Sequence, residues 1–218
     1  MLTGRDYMKE ESSARMELIA VCQKLAKKDL IAATDGNVSC RVGDGRLLVT
    51  PSGKPKGGLK PIDLLLLDLH GEVLAGREKP STEIRMHLEV YRRRADVGAI
   101  VHAHPPMLTA FTLAGIPFVA EALPEVWLTF GPVPTAPYAT PCTAEVPEAL
   151  APFLEKHQAI LLERHGSLTL GRTLNEAYLR LEKLEHAARI LFFAYLLGNA
   201  PPSPLSGEAL AKLEKLAL

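Results

Sequence analysis

Cysteine is scarce in this chain of 218 residues, which carries only Cys22, Cys40 and Cys142. The number is odd and no C-x-x-C occurs, which argues against a disulfide framework and against a thiolate zinc site. Net charge is also missing. The 25 Lys and Arg are balanced by 25 Asp and Glu, and the pI is near 7.1. That balance excludes a general electrostatic binder of nucleic acid or of anionic membranes. No apolar run is long enough to cross a bilayer, and the opening MLTGRDYMKEESS has no apolar signal core. The expected address is therefore the cytoplasm. Side-chain amides are rare, with Asn only at 37, 175 and 199 and Gln only at 23 and 158. Together with 17 prolines, this scarcity points to a thermophilic source. Apolar residues are abundant at 47 %, enough for a sizeable core, and positions 1–218 read as one domain.

Apolar residues at Met16, Ile19, Ala20, Cys22, Leu25 and Ala26 have helical spacing, and predict a helix from Ser13 to about Lys28 capped by Ser12 or Ser13. The loop Asp35-Gly36-Asn37 leads into a strand from Val38 to Val42. A turn at Gly43-Asp44-Gly45 then makes a hairpin with the run Leu47 to Thr50. Leu64 to Leu69 and Glu72 to Leu74 read as a second hairpin about His70-Gly71. Pro80-Ser81-Thr82 precedes a helix from Glu83 to about Arg93, and Arg92-Arg93-Arg94 is expected to be its solvated C-terminus. Ala99 to His104 is a strand, and the prolines 105 and 106 start a helix to about Leu113. Short strands are expected between Ile116 and Pro141, and a helix from Glu145 to His157. Strands then flank His165. The capping box Thr173-Leu174-Asn175-Glu176 opens a long helix to Leu197, and a last short helix spans about 207–216. Hairpins outnumber crossovers, so the fold class is α/β with a mixed, mostly antiparallel sheet covered by helices.

The chemistry concentrates in Val101-His102-Ala103-His104-Pro105. Side chains alternate faces along a strand, so His102 and His104 point the same way and can offer two imidazole nitrogens to one cation. A third histidine, His165, follows the apolar run Ala159 to Leu162 and precedes Gly166. Three histidines delivered by strand ends suggest a metal site with open positions, the arrangement of catalytic sites more than of structural ones. The bland alternative is three satisfied histidines, and that reading is kept for His70, His157 and His186. Glu83 is the candidate fourth ligand; it also suits the first turn of a helix as an acid facing the dipole. Ser81 and Thr82 at that helix start, Asn37 beside Gly36, and the Ser52-Gly53 turn are small, amide-rich groups of the kind that receive phosphate, although any one alone reads as a plain turn.

Five short motifs occur in one order: Gly36-Asn37-Val38-Ser39, Thr50-Pro51-Ser52-Gly53, Pro80-Ser81-Thr82-Glu83, His102-Ala103-His104-Pro105 and Arg164-His165-Gly166. In that order and spacing the chain, from about Glu17 to Leu197, resembles the class II aldolase/adducin family, and within it the fuculose-phosphate aldolases. The resemblance implies a three-layer α/β/α sandwich, one zinc ion per subunit, and a four-fold homotetramer with active sites between subunits. It makes His102, His104 and His165 zinc ligands. Glu83 becomes the acid that binds zinc at rest and shuttles a proton once substrate displaces it. Asn37, Ser52, Gly53, Ser81 and Thr82 match the phosphate positions, with Thr34 close by. The implied reaction is reversible cleavage of a phosphorylated ketose, of the L-fuculose 1-phosphate type, into dihydroxyacetone phosphate and an aldehyde.

Two departures stand out. Glu121 occupies a position where those aldolases carry a tyrosine, and is the candidate replacement acid/base. The tail from Gly207 to Leu218 has no tyrosine where they carry a second one. Sugar-phosphate epimerases resemble the layout but carry aspartate at the place of Glu83. Dehydratases and decarboxylases of the superfamily stay open, as does an adducin-like assembly module without metal. Retention of all three histidines and Glu83 argues against the last.

Overall fold

The computed structural model describes residues 4–43 and 45–216. Asp44, the middle of the expected first turn, lies outside them. Eight strands form one sheet in the order β4-β3-β2-β1-β5-β8-β7-β6. They are β1 (Asn37–Arg41), β2 (Arg46–Val49), β3 (Leu65–Asp68), β4 (Val73–Ala75), β5 (Ala99–Ala103), β6 (Thr135–Ala136), β7 (Ala159–Leu162) and β8 (Gly166–Gly171). Every neighbouring pair is antiparallel except β6 with β7. The sheet is mixed and mostly antiparallel, as its hairpin signals predict.

Strand alternation sorts the apolar side chains into two cores. Val38, Cys40, Val101 and Ala103 face one way, with residues of α1 (Gly4–Lys27), α3 (Pro106–Ala114) and α6 (Leu174–Gly198). Leu47, Val49, Ile100 and Leu168 face the other way, with residues of α2 (Ile84–Arg93) and α5 (Glu145–Leu150). Three layers result. On β5 the alternation leaves His102 on the face of Ile100, beneath α2. Asn37 lies directly opposite His102 across the β1–β5 pair, so both polar side chains reach the same end of the same face.

The helices obey local rules. Pro106 opens α3, and Gly115 closes it in the left-handed conformation, its N–H bonding Phe111 and Thr112 carbonyls. Thr173 caps α6 by accepting the Glu176 N–H at 3.1 Å, while the Glu176 carboxylate accepts the Arg172 N–H at 2.6 Å. A last helix, α7 (Gly207–Glu214), is capped by Ser206.

Four expectations are corrected. Helix α1 begins at Gly4 and runs straight through Ser12 and Ser13, where the Glu11–Arg15 pair at 2.8 Å spans one turn and supports the helix. The proline-rich stretch 116–141 forms a short 3-10 turn, Ala120–Ala122, and a helix, α4 (Pro124–Phe130), with only β6 as strand, because Pro124 sits in a helical first turn. Helix α5 ends at Leu150, ahead of Pro152, and turns carry the chain to His157. Arg94 is not solvated but 8 % exposed; its guanidinium donates to the Leu154 carbonyl at 2.7 Å and pairs with Asp96 at 2.7 Å. The fork of donors fastens the end of α2 to the segment after α5. No helix among the described residues is long and apolar enough to cross a membrane.

Candidate active site

Four segments converge at one end of β1, β5 and β8. His102 stands at the end of β5, wholly buried, and His104 follows it, held by its N–H to the Leu30 carbonyl at 3.1 Å. His165 lies in the turn between β7 and β8. There Arg164 takes a positive φ of 58°, and its N–H is received by the Thr112 hydroxyl at 3.1 Å. Gly166 permits the approach of the two strands: a Cβ there would stand 2.3 Å from the Ala103 carbonyl oxygen and 2.9 Å from His104 Cδ2. Gly36 does the same for Asn37, since a Cβ on it would meet the His102 carbonyl oxygen at 2.9 Å.

The three imidazoles form a nearly equilateral triangle, with ring centroids 4.9, 4.8 and 4.9 Å apart. One nitrogen from each falls within 4.8 Å of the others, and Nε2 of His102 and His104 are 3.1 Å apart. His102 Nδ1 is 3.0 Å from the Ser167 carbonyl oxygen, which can only accept. That contact puts the proton on Nδ1 and leaves the Nε2 lone pair facing its neighbours. Burial pushes the His102 and His104 imidazoles below their ordinary values, so both are neutral at neutral pH. Three imidazoles and an adjacent carboxylate are a donor set that suits zinc, and the residues fit a divalent cation.

Glu83 precedes α2 as its N-cap residue and directs its carboxylate into the triangle. Oε1 lies 3.1 Å from His165 Nε2, and Oε2 lies 3.5 Å from His102 Nε2. The Asn37 amide donates to Oε2 at 2.7 Å. Burial alone would push the Glu83 carboxyl up. The hydrogen bond with His165, the electrostatic attraction of the nearby His102 and His165 rings, and the Asn37 bond outweigh it, and the group is held below the usual carboxylate range. Asn37 Oδ1 is buried and has no partner among the described residues, an acceptor left open beside the carboxylate.

Two further turns flank this cluster. Pro51 and Pro80 form an isolated antiparallel bridge, and the Ser52 N–H reaches the Lys79 carbonyl at 2.9 Å. The bridge sets the exposed Ser52-Gly53 turn beside Ser81 and Thr82, with Gly53 at a φ of 68°. The Ser81 hydroxyl receives the Glu83 N–H at 3.3 Å. Thr34 is exposed in the loop before Asn37. Glu121 stands apart: it lies in the 3-10 turn before α4, its carbonyl accepts the Leu205 N–H at 3.0 Å, and among the described residues no hydrogen bond or ion pair joins its side chain to the cluster.

Sequence reasoning passed over three groups here. Asp35 Oδ2 lies 3.6 Å from His104 Nδ1. His87 is buried one turn beyond Glu83, on the same helix face, its Nδ1 2.7 Å from the Ser39 hydroxyl. The i, i+4 spacing from Glu83 was the available signal. Lys56 is buried behind the two turns, and nothing in its sequence context marks it.

This arrangement, a mixed sheet ending in three histidines and a carboxylate, agrees with comparison to known proteins. Residues 16–192 match the family model described as Class II Aldolase and Adducin N-terminal domain, and the chain belongs to that family. With the three histidines and Glu83 brought together, it is a metal-dependent lyase of that family. A 3-oxo-tetronate 4-phosphate decarboxylase of Escherichia coli (strain K12) is 34 % identical over 212 residues, 95 % of this chain and 98 % of that protein. An L-fuculose phosphate aldolase of Methanococcus vannielii is 33 % identical over 174 residues, 80 % of this chain and 93 % of that one. Among solved structures, an L-fuculose 1-phosphate aldolase superposes with a TM-score of 0.86 at 32 % identity, covering 95 % of this chain and 97 % of that one.

Proposed function

We propose that the protein is a zinc-dependent aldolase that reversibly cleaves a phosphorylated ketose, of the L-fuculose 1-phosphate type, to dihydroxyacetone phosphate and an aldehyde. The observation that carries this reading is the Glu83 carboxylate, set 3.1 Å from His165 and 3.5 Å from His102 and bonded by Asn37. In this reading His102, His104 and His165 hold the ion, with Glu83 as an exchangeable fourth ligand. The bound ion supplies Lewis-acid polarisation of the substrate carbonyl. Glu83 takes and returns the proton at C3 of the dihydroxyacetone phosphate fragment. Loss of its partners in a half-buried cleft raises its proton affinity toward that of a general base. Asn37 keeps the carboxylate aimed, and its open Oδ1 receives a substrate hydroxyl. Asn37, Ser52, Gly53, Ser81 and Thr82 hold the phosphate through amides and hydroxyls, far from the bond that breaks.

Glu121 serves the aldehyde half from a neighbouring subunit of a homotetramer. Exposed Ile190, Phe192, Phe193, Leu196 and Leu197 on α6 support assembly, being apolar surface in one short stretch of helix.

A decarboxylase of a phosphorylated 3-oxo sugar acid is the second reading. It is favoured by the near full-length match to such an enzyme and by Glu121 at a position where the aldolases carry a tyrosine. Carbon dioxide as leaving group needs no acid or base for an aldehyde. The test is a panel of ketose 1-phosphates, their dephosphorylated forms and 3-oxo sugar acid phosphates, incubated with zinc-loaded protein. Aldehyde release from a ketose 1-phosphate alone supports the aldolase; carbon dioxide release alone establishes the second reading. Equal rates for a ketose and its phosphate would remove the phosphate pocket from both.

A further inference from the structure

Lys56 opens a 3-10 turn, Lys56–Gly58, and is 2 % exposed. Its ammonium donates to the Thr34 carbonyl at 2.7 Å and to the Lys54 carbonyl at 2.9 Å. Both acceptors are neutral, and among the described residues no carboxylate lies within ion-pair distance of it. Asp35, Glu83 and the Cys22 thiol act on it only through space, and burial pushes its pKa down. The burial has a cause in the next residue. A Cβ on Gly57 would stand 2.8 Å from Ala26 Cβ, so the missing side chain lets the turn press against α1 and sink Lys56 beneath the loops.

The two carbonyls belong to different parts of the site. Thr34 is in the loop that carries Asn37, and Lys54 ends the turn that carries Ser52 and Gly53. The Pro51–Pro80 bridge fastens that turn in its own right to Ser81 and Thr82. One ammonium therefore completes the connection among all three segments. A buried charge with only neutral partners is costly unless something supplies the opposite charge. The five cradle residues offer an anion only hydroxyls and amides, which do not by themselves discriminate strongly between a dianion and a neutral polar group.

We propose that Lys56 is a positioning residue of the phosphate cradle, tying the Thr34 and Lys54 loops together and setting beneath them the positive charge that makes the cradle prefer a phosphate monoester dianion. The proposal rests on the reading of Asn37, Ser52, Gly53, Ser81 and Thr82 as that cradle, and it adds a positive charge to five residues that are themselves neutral. The ammonium acts through the field of a poorly solvated site, where a point charge counts for more than at the surface.

The test is binding of inorganic phosphate by calorimetry to the full-length wild type, Lys56→Met, Lys56→Gln and Lys56→Arg, with thermal melting to verify each fold. The neutral variants should weaken phosphate binding by about 10- to 100-fold, and Lys56→Arg should recover most of it. Lys56→Gln keeps amide donors for loop contact, so it separates charge from tethering. In turnover, KM for the sugar phosphate should rise more than kcat falls, with the dephosphorylated sugar unaffected. A wild type that binds no phosphate would overturn the cradle reading and this proposal with it. A wild type that binds phosphate, with a folded Lys56→Gln that binds it equally well, would overturn the role of Lys56 alone.

Discussion

Acidification should expose the polar column beneath Glu83. His87 is fully buried; its Nδ1 meets the Ser39 hydroxyl at 2.7 Å, and that hydroxyl meets the Tyr91 phenol at 2.8 Å. Its Nε2 has no hydrogen-bond partner among the described residues. Protonation would place a charge and a further N–H where no acceptor stands, so burial pushes the imidazole from 6.5 down to about 4, against a weaker upward pull from Glu83. Between those two values the unfolded chain binds more protons than the folded one. The contribution is therefore fully present above the window and is lost as pH falls through it. A gap of that size corresponds to about 3 kcal/mol. His102 and His104 are lowered by burial as well, so the metal-free wild type falls more steeply than His87 alone dictates. His87→Leu removes one of these titrations. At neutral pH it should cost about 1 kcal/mol for the lost hydrogen bond. From about pH 7.5 to about pH 4 it should then lose about 3 kcal/mol less than wild type. Urea unfolding of both proteins in chelator, at one protein concentration, gives the two stability curves. Parallel curves across that range would refute the reasoning.

Three further outcomes are expected. His102→Ala/His104→Ala should lose bound metal and activity together while keeping its circular dichroism spectrum; undiminished zinc by mass spectrometry would end the ligand assignment. Glu83→Gln should keep most of its zinc, lose about 10²- to 10⁴-fold in carbon–carbon cleavage, and lose deuterium exchange at C3 of dihydroxyacetone phosphate in parallel; full exchange would move the base elsewhere, with Glu121 the next residue to replace. Gly166→Ala should destabilise the protein by about 1–3 kcal/mol and weaken zinc binding, because its Cβ meets Ala103 oxygen at 2.3 Å and the His104 ring at 2.9 Å; a melting temperature equal to wild type would show that the strands yield there without cost.

The histidines were legible because a strand carries its own ruler. Alternation at His102 and His104, and an apolar run ending at His165-Gly166, fix direction without any knowledge of the rest of the fold. Glu83 was legible for a similar reason, since Pro80-Ser81-Thr82 announces a helix start and the next residue must lie at its mouth. The mixed, mostly antiparallel sheet followed from hairpin signals, whereas the three layers were implied by the family resemblance carried by the five motifs. What escaped depended on partners distant in sequence. Arg94 is spaced like a solvated helix end, and only the Leu154 carbonyl makes it a buried fastener. Lys56 is an unremarkable lysine until Gly57 lets its turn sink against Ala26. Helix α4 hid among prolines, because a first-turn proline and a loop proline look alike in sequence. Ser12 and Ser13 look like caps, yet a helix that already extends upstream leaves them as ordinary interior positions.

The register of β1 against β5 has a consequence for redesigning the chain. Asn37 opposite His102 and Ser39 opposite Ile100 place the working end of the sheet at one pole, while the turn from β1 into β2 lies at the other. A single residue added between Val38 and Ser39 would slide the site end of β1 by one step, set Val38 in place of Asn37 opposite His102, and present an isopropyl group to Glu83. Residues added in the β1–β2 turn shift no pairing between Asn37 and Cys40. A peptide tag, a fluorophore attachment point or a grafted loop therefore belongs in that turn, and a library aimed at new substrates belongs at the opposite pole, around residues 34, 52 and 81–82.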